Sequence, residues 1–322
     1  MKGIKSSCNP KGRARKGISI SRSATLLALL MLTCIVFGGC TKKADTTETS
    51  VPPAESDQKL SITASFYPLY VMLLNITENV PGLSLNLMAP ADTGCLHHYH
   101  LSPADMELLQ DTDIMVVNGA HMEEFMDKVL ETMDQEAIVT ATGDWPLVDD
   151  NPHVWVSPAG AIHQVQQIAD GLARLDPANS QRYQQNAASY TAKLQTLLDK
   201  MHHQLDPLAG ASMITFHEAF PYFAAEFNLD LAGSIQREPD SEPTAKELVE
   251  TIALIRQVQS QQGQVALFAE VDFASSAAEV IAAETGLTVH QLDPAVTGII
   301  HKDTYLNAME RNAVILQQAL AQ

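Results

Sequence analysis

Asp176-Pro177 and Asp206-Pro207 bracket a stretch without glycine or proline in which Tyr183, Ala187, Tyr190, Leu194, Leu197 and Leu198 mark one helical face. Aspartate before proline supplies an N-cap and a first helical residue whose missing N–H is not needed, so the pattern predicts one helix over residues 177–205. At about 1.5 Å per residue such a helix is roughly 43 Å long. A rod of that length in mid-chain divides the sequence in two and points to two bodies sharing one rigid connector.

Both flanking segments alternate short β-rich runs with amphipathic stretches. Before the rod come Leu60–Ala64, Pro68–Ile76, Leu83–Leu87, Pro103–Leu109 and Ile114–Val117. After it come Met213–Phe216, Leu229–Leu231, Thr244–Gln261, Val265–Phe268, Ser275–Thr285 and Leu287–Leu292. Such alternation builds a mostly parallel sheet covered by helices. The expected fold is α/β with two lobes, residues 60–176 and 206–322, each a mostly parallel sheet flanked by helices and joined by the long linker helix. Ligand sites in such sheets lie beyond the carboxyl ends of the strands. A rigid connector favours a small tilt of the lobes on ligand binding.

Residues 1–39 stand apart. Lys2, Lys5, Lys11, Arg13, Arg15, Lys16 and Arg22 come without an acid and precede the apolar run Ala24–Phe37 and Gly38-Gly39-Cys40. A basic region, an apolar stretch shorter than the ~20 residues that span a bilayer, and small residues before a cysteine read as a signal peptide. The cut site resembles a lipobox, with Phe37 where an aliphatic residue is usual, which implies lipid attachment at Cys40. Residues 40–59, rich in Thr, Ser, Glu, Asp and Pro, then form a flexible tether holding the body at the extracytoplasmic face of the cell membrane. Loss of 1–39 removes seven basic residues and no acid, moving the formal charge from −18 to −25. That surface repels nucleic acid and draws in cations. Cys8 and Cys34 leave with the signal and Cys40 is acylated, so Cys95 is the body's one cysteine and no disulfide framework is expected.

Three histidines follow apolar or turn-marked segments: His97 in Cys95-Leu-His-His-Tyr-His100, His153 in Asn151-Pro-His-Val-Trp155, and His217 in Thr215-Phe-His-Glu-Ala219. Their separations match no local zinc-finger spacing, so only the fold can bring them together. Taken singly, His217 reads as a helix-start residue and His153 as a turn residue behind Pro152; taken together, three imidazoles at sheet edges read as a metal site. Cys95 is a soft potential ligand two residues from His97, although a small half-buried thiol is the plainer reading. His98 and His100 read as solvated loop residues or aids to capture, His121 as a surface residue that could line the cleft, and His202 and His203 as positive ends of the linker helix. His163, His290 and His301 have no constellation around them. His217-Glu-Ala-Phe-Pro221 begins like a zinc-protease helix, but Pro221 stands where the second histidine belongs. With no nucleophile elbow, phosphate loop or paired-cysteine motif either, the chain does not read as an enzyme.

Ala64-Ser-Phe-Tyr-Pro-Leu-Tyr70, His97 with Ser102-Pro103, Val117-Asn-Gly-Ala120, Pro152-His-Val-Trp155, Thr215-Phe-His-Glu-Ala-Phe220, Phe268-Ala-Glu270 and Leu292-Asp-Pro294 complete the pattern. Together they resemble the metal-specific solute-binding lipoproteins of bacterial ABC importers, the zinc and manganese receptors of the ZnuA/TroA type, over nearly all of Leu60–Gln322. The resemblance implies one ion in the cleft between the lobes, held by His97, His153 and His217. Asp293, the one carboxylate in Leu292–Gly298, or a water is the implied fourth ligand. Some zinc receptors carry Glu where this chain has Val296, and the chain lacks a long His-rich acidic loop. Manganese receptors of the family usually place a carboxylate where His217 stands, and three imidazoles favour Zn2+ over Mn2+. The implied function is Zn2+ capture by a monomer for delivery to an ABC permease and its ATPase subunit. A manganese or iron receptor and a surface adhesion lipoprotein are the alternatives.

Overall fold

A computed structural model describes residues 59–236, 243–262, 265–271 and 276–321. The signal peptide, Cys40 and all but the end of the tether lie outside the described residues. In the first lobe, strands β1 (Leu60–Ala64), β2 (Leu83–Leu87), β3 (Ile114–Val117) and β4 (Ile138–Thr140) form an all-parallel sheet in the order β2-β1-β3-β4. Helices α1 (Tyr67–Ile76), α2 (Pro103–Gln110) and the short α3 (Asp127–Leu130) connect them. The start of α2 is written in its sequence: Ser102 accepts from the Asp105 N–H, the Asp105 carboxylate returns a bond to the Ser102 N–H, and Pro103 takes the first turn.

The second lobe repeats the plan. Strands β5 (Ser212–His217), β6 (Asp230–Gln236), β7 (Val265–Glu270) and β8 (Val289–Leu292) pair in parallel in the order β6-β5-β7-β8, so β5 takes the central place that β1 holds in the first sheet. Helices α6 (Pro221–Glu226), α7 (Ala245–Gln262), α8 (Ser276–Thr285) and α9 (Thr304–Leu320) complete it. Central strands buried on both faces need apolar runs without alternation, and every residue of β3, β5 and β7 is buried.

Two helices join the sheets. α4 (Pro158–Leu175) leaves the first lobe, and α5 (Ser180–Leu205) packs against it and against α1 and α9. The long helix therefore begins at Ser180, three residues after the expected Pro177. Asp176 closes α4, its N–H bonding Leu172 O, and its carboxylate accepts from Asn179 Nδ2 and Tyr183 Oη, so Asp176-Pro177 makes the turn between two helices rather than opening one. The face foreseen for α5 is the buried one, from Tyr183 through Leu198 and on to Met201 and Leu205.

One apolar core runs unbroken through both lobes, from Ile62 and Phe66 across Trp155, Val165 and Leu194 to Phe223, Phe268 and Leu316. Two separate cores lie on the outer sides of the sheets. The first lobe's is methionine-rich, built on Met88, Met115 and Met126, and the second lobe's is built on Ile214, Ile255, Leu267 and Ile281. Polar links also cross between lobes: Trp155 Nε1–H donates to Pro294 O, Tyr305 O–H to Trp155 O, Tyr67 O–H to Ile299 O, and Ser157 O–H to Glu226. A shared core and buried cross-links restrict relative motion of the lobes to small tilts. No described helix is long and apolar enough to cross a membrane.

Candidate metal centre

His217 ends β5, the central strand of its sheet, and is 2% exposed. On the neighbouring β7, Phe268 pairs with Thr215, so two residues further along Glu270 comes beside His217 on the same side of the pleat. The Glu270 carboxylate lies 2.5 Å from His217 Nδ1. An ionised carboxylate accepts only, so Nδ1 carries the proton and the lone pair is on Nε2. That Nε2 is buried and has no hydrogen-bond partner among the described residues. A buried basic nitrogen left without a partner costs stability, and is explained where it is kept for a ligand.

His153 is held by analogous means with a neutral acceptor. Asn151 Oδ1 accepts from the His153 N–H and sits 3.0 Å from His153 Nδ1, while Asn151 Nδ2 donates to Glu218 O in the second lobe. The Nδ1 proton again leaves Nε2 as the donor atom. Burial first, then the neighbouring His217 and His97 rings, holds His153 well below its ordinary 6.5, so it is neutral and able to bind a cation at pH 7. Behind it, Gly160 allows the first turn of α4 to close on this turn: a Cβ there would stand 2.1 Å from Val154 O. On the other side, Asn118 Nδ2 donates to Pro152 O, and Asn118 is itself fixed by Gln164 and by Glu123, whose buried carboxyl is pushed up to about 7 by desolvation.

His97 comes from a third kind of element. Leu96–His98 is a single 3-10 turn with Cys95 at its N-cap position, fully buried Leu96 pinning it to the core and leaving Cys95 and His97 on either side. The ring centroids of His97, His153 and His217 lie 5.5, 6.2 and 4.8 Å apart, pair by pair. Ligand atoms of Cys95, His97, His153 and His217 all fall within 4.8 Å of one another. In a tetrahedral zinc shell with bonds of about 2.0–2.3 Å the ligand atoms are about 3.3–3.8 Å apart, so closing on an ion requires movements of about 1 Å. Three of the four come from the first lobe and His217 from the second, so the ion would pull the lobes together. A cleft of about 370 Å³ opens beside the cluster, lined in part by Asp149, Asn151, Glu218, Pro221 and Ser234.

The sequence profile of the family described as zinc-uptake complex component A, periplasmic (ZnuA), matches residues 62–319. The chain belongs to that family. The zinc-binding lipoprotein AdcA of Streptococcus pneumoniae is 28% identical over 295 residues, covering 83% of this chain and 57% of that protein, so the chain spans little more than half the length of that relative. The Zn(II)-bound ZnuA-like domain of the same protein superposes with a TM-score of 0.69 at 29% identity, covering 82% of this chain and all of that domain. The solute-binding protein FpvC of Pseudomonas aeruginosa in complex with Ni2+ gives a TM-score of 0.73 at 26% identity, covering 82% of this chain and 97% of that one.

Within this ZnuA-family fold, the three expected histidines meet and Asp293 does not join them. Its Oδ1 accepts from the Ala295 N–H and its Oδ2 from Arg311, while Asn312 bonds both its N–H and its C=O. Asp293 organises the turn after β8 against α9, which commits its carboxylate to Ala295 and Arg311, and it is not among the ligand atoms that cluster. Cys95, for which a half-buried thiol is the plainer reading of the sequence, is half-buried and inside the cluster, with Sγ 3.5 Å from His153 Nε2. His121 is exposed and faces Glu124, and His100 is exposed. His202 bonds Asp206, and His163 approaches Thr142 O and the Trp145 ring. Two positioning residues, Glu270 and Asn151, are absent from the expected ligand set. The signal for Glu270 was a lone acid closing the apolar run Val265–Ala269, as His217 closes the run before it.

Proposed function

We propose that this chain is an extracytoplasmic receptor that captures Zn2+ between its lobes through His97, His153 and His217 and presents it to an ABC permease coupled to an ATPase subunit. Binding, not turnover, is its activity. The single observation carrying this reading is the convergence of the three imidazoles, with the buried His217 Nε2 left without a partner and its far nitrogen held by Glu270. A carboxylate behind a ligating histidine fixes the tautomer and raises its basicity, a recurring arrangement at zinc. A nitrogen-rich site rejects Ca2+ and Mg2+, which require several oxygen ligands, and ranks Zn2+ above Mn2+. The names of the zinc-binding relatives support the same choice.

The signal peptide, the lipid anchor at Cys40, the tether and a monomeric body complete the proposal: the acidic chain concentrates cations near the membrane, and a small lobe closure reports occupancy to the permease. Competitive Zn2+/Mn2+ titration of the purified protein tests it. Zinc binding that is lost in His217→Ala supports the receptor; a preference for Mn2+ reverses the metal assignment.

A further inference from the structure

Cys95 is the one member of the cluster that is not an imidazole. Cys95 stands at the N-cap position of the 3-10 turn that carries His97, and buried Leu96 between them ties both to one short step of backbone. Its Sγ lies 3.5 Å from His153 Nε2 and within 4.8 Å of every other ligand atom of the cluster. Opposite it, the buried His217 Nε2 has no hydrogen-bond partner among the described residues. Nearby carboxylates are committed elsewhere: Glu270 to the outer nitrogen of His217, and Asp293 to Arg311 and the Ala295 N–H.

We propose that Cys95 is the fourth ligand, so that the site is a closed set of three imidazoles and one thiolate and selects borderline and soft ions over Mn2+. This rests on the histidine cluster being the metal site. As Sγ bonds the ion, the thiol proton passes to solvent and the sulfur supplies one negative charge to a shell whose other ligands are neutral. Thiolate is a strong donor to Zn2+ and Co2+ and a poor one to Mn2+, so the residue determines specificity as well as affinity.

Cobalt(II) serves as the spectroscopic probe, loaded into the full chain and into its Cys95→Ser variant. Cys8, Cys34 and Cys40 are common to both proteins, so the difference spectrum isolates Cys95. Expected is a near-ultraviolet sulfur-to-cobalt charge-transfer band in the parent that Cys95→Ser loses, while the visible bands of tetrahedral cobalt persist in both. The zinc-over-manganese preference should narrow by about tenfold or more in Cys95→Ser. Tetrahedral cobalt bands that need His217, with no charge-transfer difference, would overturn the thiolate ligand and leave the receptor standing with water in fourth place. Cobalt and zinc binding unaffected by His217→Ala would overturn both readings.

Discussion

The two halves of the proposed metal centre are built differently. His217 and Glu270 stand at the ends of adjacent parallel strands in the middle of a sheet, where neighbouring backbone on both sides of β5 fixes them. Cys95, His97 and His153 sit on short turns, positioned by a buried leucine, an asparagine and the first turn of α4. A ligand on a central strand is preorganised by ladder hydrogen bonds, whereas the one on the 3-10 turn has a single backbone turn bond, Tyr99 N–H to Leu96 O, and one apolar anchor. The strand half is therefore the more fixed side of the proposed site, and the Cys95–His97 turn is the part that would give if an ion drew the atoms together. The lobe carrying the adaptable turn also has the methionine-rich outer core, a packing that tolerates small shifts.

Removing a ligand from either half is the largest perturbation. At the proposed site, zinc bound at about 10–16 kcal/mol would imply a loss on the order of 100-fold or more for His217→Ala and for His97→Ala. Their effects on the metal-free fold should differ: His217→Ala strands the buried Glu270 carboxylate at a cost of about 1–3 kcal/mol, whereas His97→Ala leaves stability nearly unchanged. Calorimetric titration and thermal unfolding of both variants measure the pair, and equal destabilisation would erase the distinction between strand half and turn.

Outer partners come next. Glu270→Gln should weaken zinc binding toward the upper end of a 10–100-fold range and Asn151→Ala toward the lower end, because an ionised acceptor fixes and polarises its imidazole more strongly than an amide does. Zinc affinities in the reverse order would count against the strand half as the preorganised one.

How much of this could be read beforehand follows the same divide. β1, β2 and β3 are legible to the residue, because short alternating or apolar runs between turn signals leave few alternatives. α4 is not legible in the same way, since Gly160 and Gly171 weaken its helical signature; both serve close packing, as a Cβ on Gly171 would press on Val139 at 2.6 Å. No expected element reached past Leu292, although Tyr305, Ala308, Met309, Asn312 and Leu316 recur at helical spacing in α9. At the site, the histidines announce themselves by chemistry and position. Whether Cys95 or Asp293 faces them depends on two turns: the 3-10 turn at Leu96, and the bend after β8 with Ala295 at φ 57°, where Asn312 and Arg311 hold Asp293. Turn geometry of that kind rests on contacts from distant sequence and leaves no periodic trace.

Acid tests the turn half through His153. The unfolded chain takes up a proton near 6.5 that the buried imidazole refuses until well below it, so this group leaves stability intact above 6.5 and erodes it as the pH falls. Buried Glu123, pushed up to about 7, acts in the opposite sense over the same range and is common to both proteins, so the test is a difference: between about pH 7.5 and about pH 5.5 the unfolding midpoint of the metal-free parent should fall relative to that of His153→Gln. Parallel curves would show that His153 is not held neutral by its surroundings.

The smallest effect on metal belongs to Asp293. Asp293→Ala should cost about 1 kcal/mol of stability through its lost hydrogen bonds to Ala295 and Arg311, with zinc affinity changed by less than about twofold. A large fall in affinity would return Asp293 to the shell.

Anomalous diffraction at the zinc absorption edge, from crystals of the zinc-loaded protein, bears most directly on the central claim. The account predicts a single peak between the lobes, about 2.0–2.1 Å from Nε2 of His97, His153 and His217 alike. A zinc peak elsewhere, or one bonded to fewer than all three histidines, would contradict it.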